Sequence, residues 1–128
     1  MTTDPCEGSD EDALARTPRP PYVAVIFTSR LRDNDPDYEL TAREMVALAH
    51  SQPGFLGIES ARETLGITVS YWSDEDAARS WKRVSEHLGA QHLGKTRWYE
   101  EYRVRIATIV RDYGADKLSD SREPPTQH

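Results

Sequence analysis

The sequence predicts one α+β domain with the element order β-α-β-β-α-β. Three observations predict it. Runs rich in β-branched and aromatic residues, such as Tyr22 to Arg30 and Trp98 to Arg111, have the composition of strands. Two apolar stripes at helical spacing each follow an acidic segment suited to starting a helix. A short connection through Thr64-Leu65-Gly66 closes the two middle strands into an antiparallel hairpin.

The first strand, Tyr22 to Arg30 (YVAVIFTSR), is apolar on both alternating faces as far as Phe27. A strand buried on both sides is a central one. Asn34-Asp35-Pro36-Asp37 then opens a helix, with Asp35 able to cap free amides and Pro36 suited to the first helical position. Tyr38, Ala42, Met45, Val46 and Ala49 fall on one stripe. The helix is predicted to end near Ser51, because Gln52 precedes Pro53 and is pushed out of helical angles. Pro53-Gly54 reads as a turn, followed by strands over Phe55 to Glu63 and Ile67 to Trp72, with Ile67, Val69 and Tyr71 sharing a face.

Ser73-Asp74-Glu75-Asp76 starts the second helix. Ser73 is the predicted cap, Asp76 sits at the capping-box position, and the acids favour the positive end of the helix dipole. Ala77, Trp81, Val84 and Leu88 form its core stripe, while Arg79, Lys82, Arg83 and Glu86 point away. Gly89 and Gly94 leave helix unassigned from there to Arg97. In the last strand Val104, Ile106, Thr108 and Val110 share one face, and Arg103, Arg105, Ala107, Ile109 and Arg111 share the other. This order builds a ferredoxin-like fold, an antiparallel sheet with both helices on one face. The other sheet face keeps large apolar groups, which are rarely left open on a soluble monomer. Two such sheets packed face to face form a closed two-fold barrel, so a homodimer is predicted.

The chain has 128 residues, enough for one domain. Its net charge of −6 argues against a nucleic-acid partner, which needs a concentrated basic surface. Residues 1–21 hold five acids and two arginines, and residues 115–128 hold three acids and two bases, leaving −2 on the domain from 22 to 114. Both ends are polar and proline-containing, without an apolar period, and are predicted to be a disordered leader and tail. Cys6 is the single cysteine, so no internal disulfide is possible and no oxidising compartment is implied. With no membrane-spanning apolar run and no secretory layout, the expected location is cytoplasmic, with no membrane partner. The histidines have no paired cysteines, and His87 and His92 lie off a common helix face, so no metal site is predicted. Phosphate-loop, nucleophile-elbow and dinucleotide fingerprints are also missing.

Two groups of residues carry a family resemblance. One is Pro53-Gly54-Phe55-Leu56-Gly57 with Tyr71-Trp72-Ser73-Asp74-Glu75 and Trp81-Lys82. The other is His87, Gly94-Lys95, Trp98-Tyr99, Tyr102 and Arg105-Ile106-Ala107. Over Tyr22 to Gly114 the chain resembles the antibiotic biosynthesis monooxygenase family of dimeric α+β barrels. The resemblance implies an oxygenase that needs neither flavin nor metal, in which a small phenolic substrate itself reduces oxygen. The protein would deprotonate the substrate and hold the anion in a dry pocket between sheet and helices. It points to Trp72, Trp81, His87, Trp98, Tyr99 and Arg105 as pocket groups.

Each of these residues also has a structural explanation. Trp81 lies on the core stripe, where packing alone accounts for it. His87 lies about a quarter turn from the stripe centre, where an exposed histidine fits as well as a base. Trp98 and Tyr99 could staple the last strand to the sheet, and Arg103, Arg105 and Arg111 could form a dimer salt-bridge ladder. An arginine inside the barrel would need a carboxylate such as Glu59 or Glu63, or a ligand.

Heme-degrading relatives give a second reading. They are similar in their paired tryptophans, here Trp72 and Trp81, and use a first-strand asparagine and a histidine ten residues after the second tryptophan. Here those positions hold Ser29 and Gln91, with His92 next to the latter as the heme-ligand candidate and His87 as the other histidine to test. A third reading is a non-catalytic ligand-binding or stress-response dimer on the same scaffold.

Overall fold

A computed structural model of the chain describes residues 14–32, 36–91 and 99–115. The predicted order is present: β1 (Tyr22–Leu31), α1 (Pro36–His50), β2 (Phe55–Arg62), β3 (Gly66–Trp72), α2 (Glu75–Gln91) and β4 (Tyr99–Ile109). The strands form one antiparallel sheet in the order β2-β3-β1-β4. β1 is therefore internal, as its two-sided apolar pattern requires. The Asp35 cap, Cys6, residues 1–13 of the leader and residues 116–128 of the tail lie outside the described residues.

The register divides the sheet into rows. On the helix-facing side, the first row is Phe55, Trp72, Val23 and Thr108. The next is Ile58, Ser70, Val25 and Ile106, then Ser60, Thr68, Phe27 and Val104, and finally Arg62, Gly66, Ser29 and Tyr102. The core gathers on the first row: Val23, Ala49, Trp72, Ala78 and Trp81 are buried together, with Met45, Leu48, Phe55 and Val84 packed around them. Trp72 is fully buried and its indole N–H donates to Ser70 Oγ at 2.9 Å, so its one polar atom is satisfied. Val104 and Ile106 share this side with Val25 and Phe27, as their alternation predicts.

The turn before β2 fixes where α2 begins. Gly54 has φ +84, a region that favours glycine, and its carbonyl accepts from the Ser73 amide at 2.8 Å. A Cβ there would come within 2.7 Å of Ala77 Cβ and 2.8 Å of Ser73 Oγ. Ser73 is thus held by the turn. The cap of α2 is Asp74, whose carboxylate accepts from the Ala77 amide at 2.8 Å, not Ser73 as the sequence suggested.

The opposite sheet face carries Tyr71, Val69 and Ile67 of β3, Ala24, Ile26 and Thr28 of β1, and Arg103, Arg105 and Ala107 of β4. Neither helix covers it. Residues 14–21 lead into β1 and lie against β2 on this face, where the Ala15 amide donates to Glu59 Oε2 at 2.8 Å. The Tyr71 hydroxyl donates to the other oxygen of Glu59, also at 2.8 Å.

Candidate functional site

Beyond the tryptophan row the helices and sheet do not close on each other. Small side chains meet there: Ser60, Thr68 and Ser70 on the sheet, Ala42 on α1 and Ala78 on α2. They leave a cavity of about 240 Å³. Trp81 forms one wall, and Phe27, Tyr38, Tyr99 and Tyr102 form an aromatic end. Tyr102, Val104 and Ile106 line the cavity yet stay 43%, 41% and 47% exposed, so it opens along the β4 edge.

Trp81 is 8% exposed and stacks on Trp72, with ring centroids 5.4 Å apart and planes at 24°. Its indole N–H has no acceptor among the described residues. At the aromatic end, Tyr99 packs edge-on against Phe27 at 5.3 Å and against Tyr38 at 5.8 Å. Its hydroxyl donates to the Tyr38 oxygen at 3.4 Å. Burial, reinforced by this hydrogen bond, pushes the Tyr99 phenol well above the usual tyrosine range, although the nearby Arg62 charge works the other way. Tyr99 is therefore a neutral hydroxyl donor at any physiological pH.

Arg62 occupies the last row of the helix-facing side. It reaches from β2 across Gly66 of β3 to β1, where it donates to Ser29 Oγ and, at 3.4 Å, to the Ser29 carbonyl. The crossing is possible because Gly66 has no side chain; a Cβ there would overlap the guanidinium. The guanidinium carbon also lies 5.6 Å from the centre of the Tyr38 ring. No carboxylate among the described residues pairs with Arg62. The other charged lining residues, Lys82 and Glu86, bind each other at 3.1 Å.

Of the sequence-predicted site residues, Trp81 and Tyr99 meet at this cavity. Trp72 lies beneath it in the core. His87 is exposed on α2 and does not line the cavity. Arg105 sits on the helix-free sheet face in register with Ile26. Trp98 and the heme-ligand candidate His92 lie outside the described residues. Ser29, at the position of the heme relatives' asparagine, is buried and engaged by Arg62. No histidine among the described residues lines the cavity, and none of the described residues form a cluster able to hold a metal ion.

Sequence reasoning missed Arg62, Phe27, Tyr38 and Tyr102 as lining groups. A usable signal existed in β2: alternation from Ile58 through Ser60 puts Arg62 on the helix-facing side, opposite a glycine.

Known proteins share this sequence pattern and this fold. The chain belongs to the antibiotic biosynthesis monooxygenase family, whose model matches residues 21–93. It is 52% identical over 102 residues to the uncharacterized protein YqjZ of Bacillus subtilis, covering 78% of this chain and 90% of that one. Its fold is that of SnoaB, a cofactor-independent oxygenase from Streptomyces nogalater, here in a mutant form. That match has a TM-score of 0.60 at 18% identity, over 71% of this chain and 95% of SnoaB. PA3566 from Pseudomonas aeruginosa is similar to the same degree, with a TM-score of 0.56 at 18% identity over 74% of this chain and 98% of the other. Family membership supports a monooxygenase-type function, and the solved structures show the fold. No described helix is long and apolar enough to cross a membrane.

Proposed function

We propose that the chain is a cofactor-independent monooxygenase that oxidises a small aromatic, phenolic compound inside the cavity between sheet and helices. The observation that carries this reading is the cavity itself: a space of about 240 Å³ walled by Trp81, Phe27, Tyr99 and Tyr102, with a few polar groups placed around it. Such a mixture of apolar wall and sparse hydrogen-bonding groups is how small-molecule sites are built. A phenol held there, once ionised, is electron-rich enough to reduce oxygen. Loss of the phenolic proton, electron transfer to oxygen and recombination at the ring carbon para to the oxygen give a hydroperoxide. Loss of water from it leaves a quinone, so that one phenol and one oxygen molecule become one quinone and one water. The protein's contributions are exclusion of water and donors that favour the ionised form. His87 is not placed to take the proton, since it does not reach the cavity.

We extend the proposal to a cytoplasmic homodimer whose protomers meet through the helix-free sheet face. Ile67 there is 43% exposed, and with Ile26 and Val69 it supports this, because neither helix covers them. The test is oxygen uptake with 1-naphthol, using protein freed of metals by chelation, with size-exclusion mass on the same sample. Uptake above the uncatalysed rate that disappears in Trp81→Ala supports the reading. Uptake equal to buffer for a broad panel of phenols overturns it. A parallel hemin titration that gave a stoichiometric, sharp Soret band would move the assignment to heme chemistry.

A further inference from the structure

An arginine facing an apolar cavity without a carboxylate partner is an unusual expense, because burying charge away from water is unfavourable unless something opposite compensates it. Among the described residues, Arg62 is in that position. Its hydrogen bonds go to Ser29, whose hydroxyl and carbonyl are neutral. The Tyr38 ring offers its face and Tyr99 stands close by, but neither supplies a full negative charge. Lys82 and Glu86 cancel each other, so Arg62 leaves the lining with one positive charge. The placement is also built for: Gly66 clears the path, and the Ser29 contacts and Tyr38 ring fix the plane of the guanidinium. A fixed guanidinium with spare N–H groups suits a planar oxyanion, which can take two parallel hydrogen bonds.

We propose that Arg62 makes the aromatic end of the cavity an anion subsite, so that the cavity selects aromatic ligands bearing a carboxylate or an ionised phenol oxygen over neutral ones of the same shape. The aromatic groups Phe27, Tyr99 and Tyr102 hold the ring while Arg62 holds the charge. Tyr99, kept protonated by burial, adds no competing charge. For a phenolic substrate the same contact favours the ionised form that reacts with oxygen. This deepens the proposed function and rests on its reading of the cavity as the ligand site.

The test compares 1-naphthoate with the neutral 1-naphthalenemethanol, titrated into the full-length protein at pH 7.5 and followed by calorimetry. The wild-type chain is expected to bind naphthoate roughly tenfold to a hundredfold more tightly, the ratio of one hydrogen-bonded charge contact. In Arg62→Met the preference is expected to fall to about twofold or less, while naphthalenemethanol affinity stays within about threefold of wild type. Arg62→Lys keeps the charge but not the fork and should lose at least threefold of the preference, roughly a 0.6 kcal/mol change; it serves if the methionine variant fails to fold. Equal binding of the two probes by wild type, or an undiminished preference in either variant, overturns the subsite and leaves the cavity reading intact. Failure of wild type to bind either probe overturns both.

Discussion

Truncating Trp81 to alanine separates packing from chemistry at the cavity wall. One face of the indole stacks on the fully buried Trp72 at 5.4 Å, and its edge meets the core around Ala78 and Val84. Large aromatic truncations in a packed core cost about 3–5 kcal/mol. Trp81 belongs at the low end of that range, near 3 kcal/mol, because its outer side already borders open space, so the deletion enlarges an existing cavity and strips contacts from one side only. With a urea slope of about 1–3 kcal/mol per molar for a domain this size, the midpoint should drop by roughly 1–3 M. The melting temperature should fall by roughly 12–24 °C. Far-UV circular dichroism is the right probe, since tryptophan fluorescence changes with the substitution itself. Trp81→Phe keeps most of the apolar contact and should cost less than about 1.5 kcal/mol, while removing the indole donor that has no acceptor among the described residues. A loss below about 1 kcal/mol in Trp81→Ala would refute the packing argument and leave the residue with a role in ligand contact alone.

Three further outcomes follow from the same geometry. Gly54→Ala combines an unfavourable φ of +84 with overlap against Ala77 and Ser73, so it should destabilise by about 2–4 kcal/mol in urea unfolding; a cost below about 1 kcal/mol would show that the turn does not set the start of α2. Asp74→Ala should cost about 1 kcal/mol by the same measurement and Ser73→Ala distinctly less, because the carboxylate of Asp74 holds the Ala77 amide; the reverse order would restore Ser73 as the cap. The Tyr99 phenol titrates well above its unfolded value near 10, so the folded state holds that proton more tightly; this contribution is intact below about pH 10 and declines as pH rises beyond it. Urea midpoints for wild type should therefore fall between pH 9 and 11 more steeply than for Tyr99→Phe, and parallel slopes would dismiss the idea.

The fold was legible because its signals are periodic. A strand apolar on both faces, Tyr22 to Phe27, had to be internal, and β1 lies between β3 and β4. The stripe Ala77, Trp81, Val84 turned Trp81 toward the core, where the structure stacks it on Trp72. The cap of α2 was displaced by one residue because Ser73 bonds the Gly54 carbonyl, a contact made across the sheet end that local sequence does not contain. The site was less legible. The resemblance pointed to Trp81, Tyr99, His87 and Arg105 alike; the first two line the cavity and the last two do not, because a motif match carries no direction. Arg105 alternates onto the helix-free face with Arg103, whereas Arg62 alternates onto the cavity face. What makes Arg62 relevant is a gap in the neighbouring strand, Gly66, and a receptor one strand further on, Ser29. Three strands meet at that point, and no window of sequence spans them.

The cavity is a consequence of where the chain places its bulk. Protein interiors ordinarily fill to crystal-like density, and small residues facing one another across two layers leave their contacts unmade. Here the first row of the sheet carries Phe55 and Trp72, with Trp81 closing on them from α2. The rows that follow carry Ser70, Ser60 and Thr68, and α1 sets Ala42 above them. Those hydroxyls are not free to fill the space: Ser60 and Thr68 bond each other at 2.9 Å, and Ser70 holds the Trp72 indole. Aromatic groups return at the far end, as Phe27, Tyr38, Tyr99 and Tyr102, where they pack against one another beside Arg62 without closing the centre. The tryptophan row therefore holds the two layers together at one end while the aromatic row holds them at the other. The space between is kept open by residues too small, and too well bonded among themselves, to collapse into it.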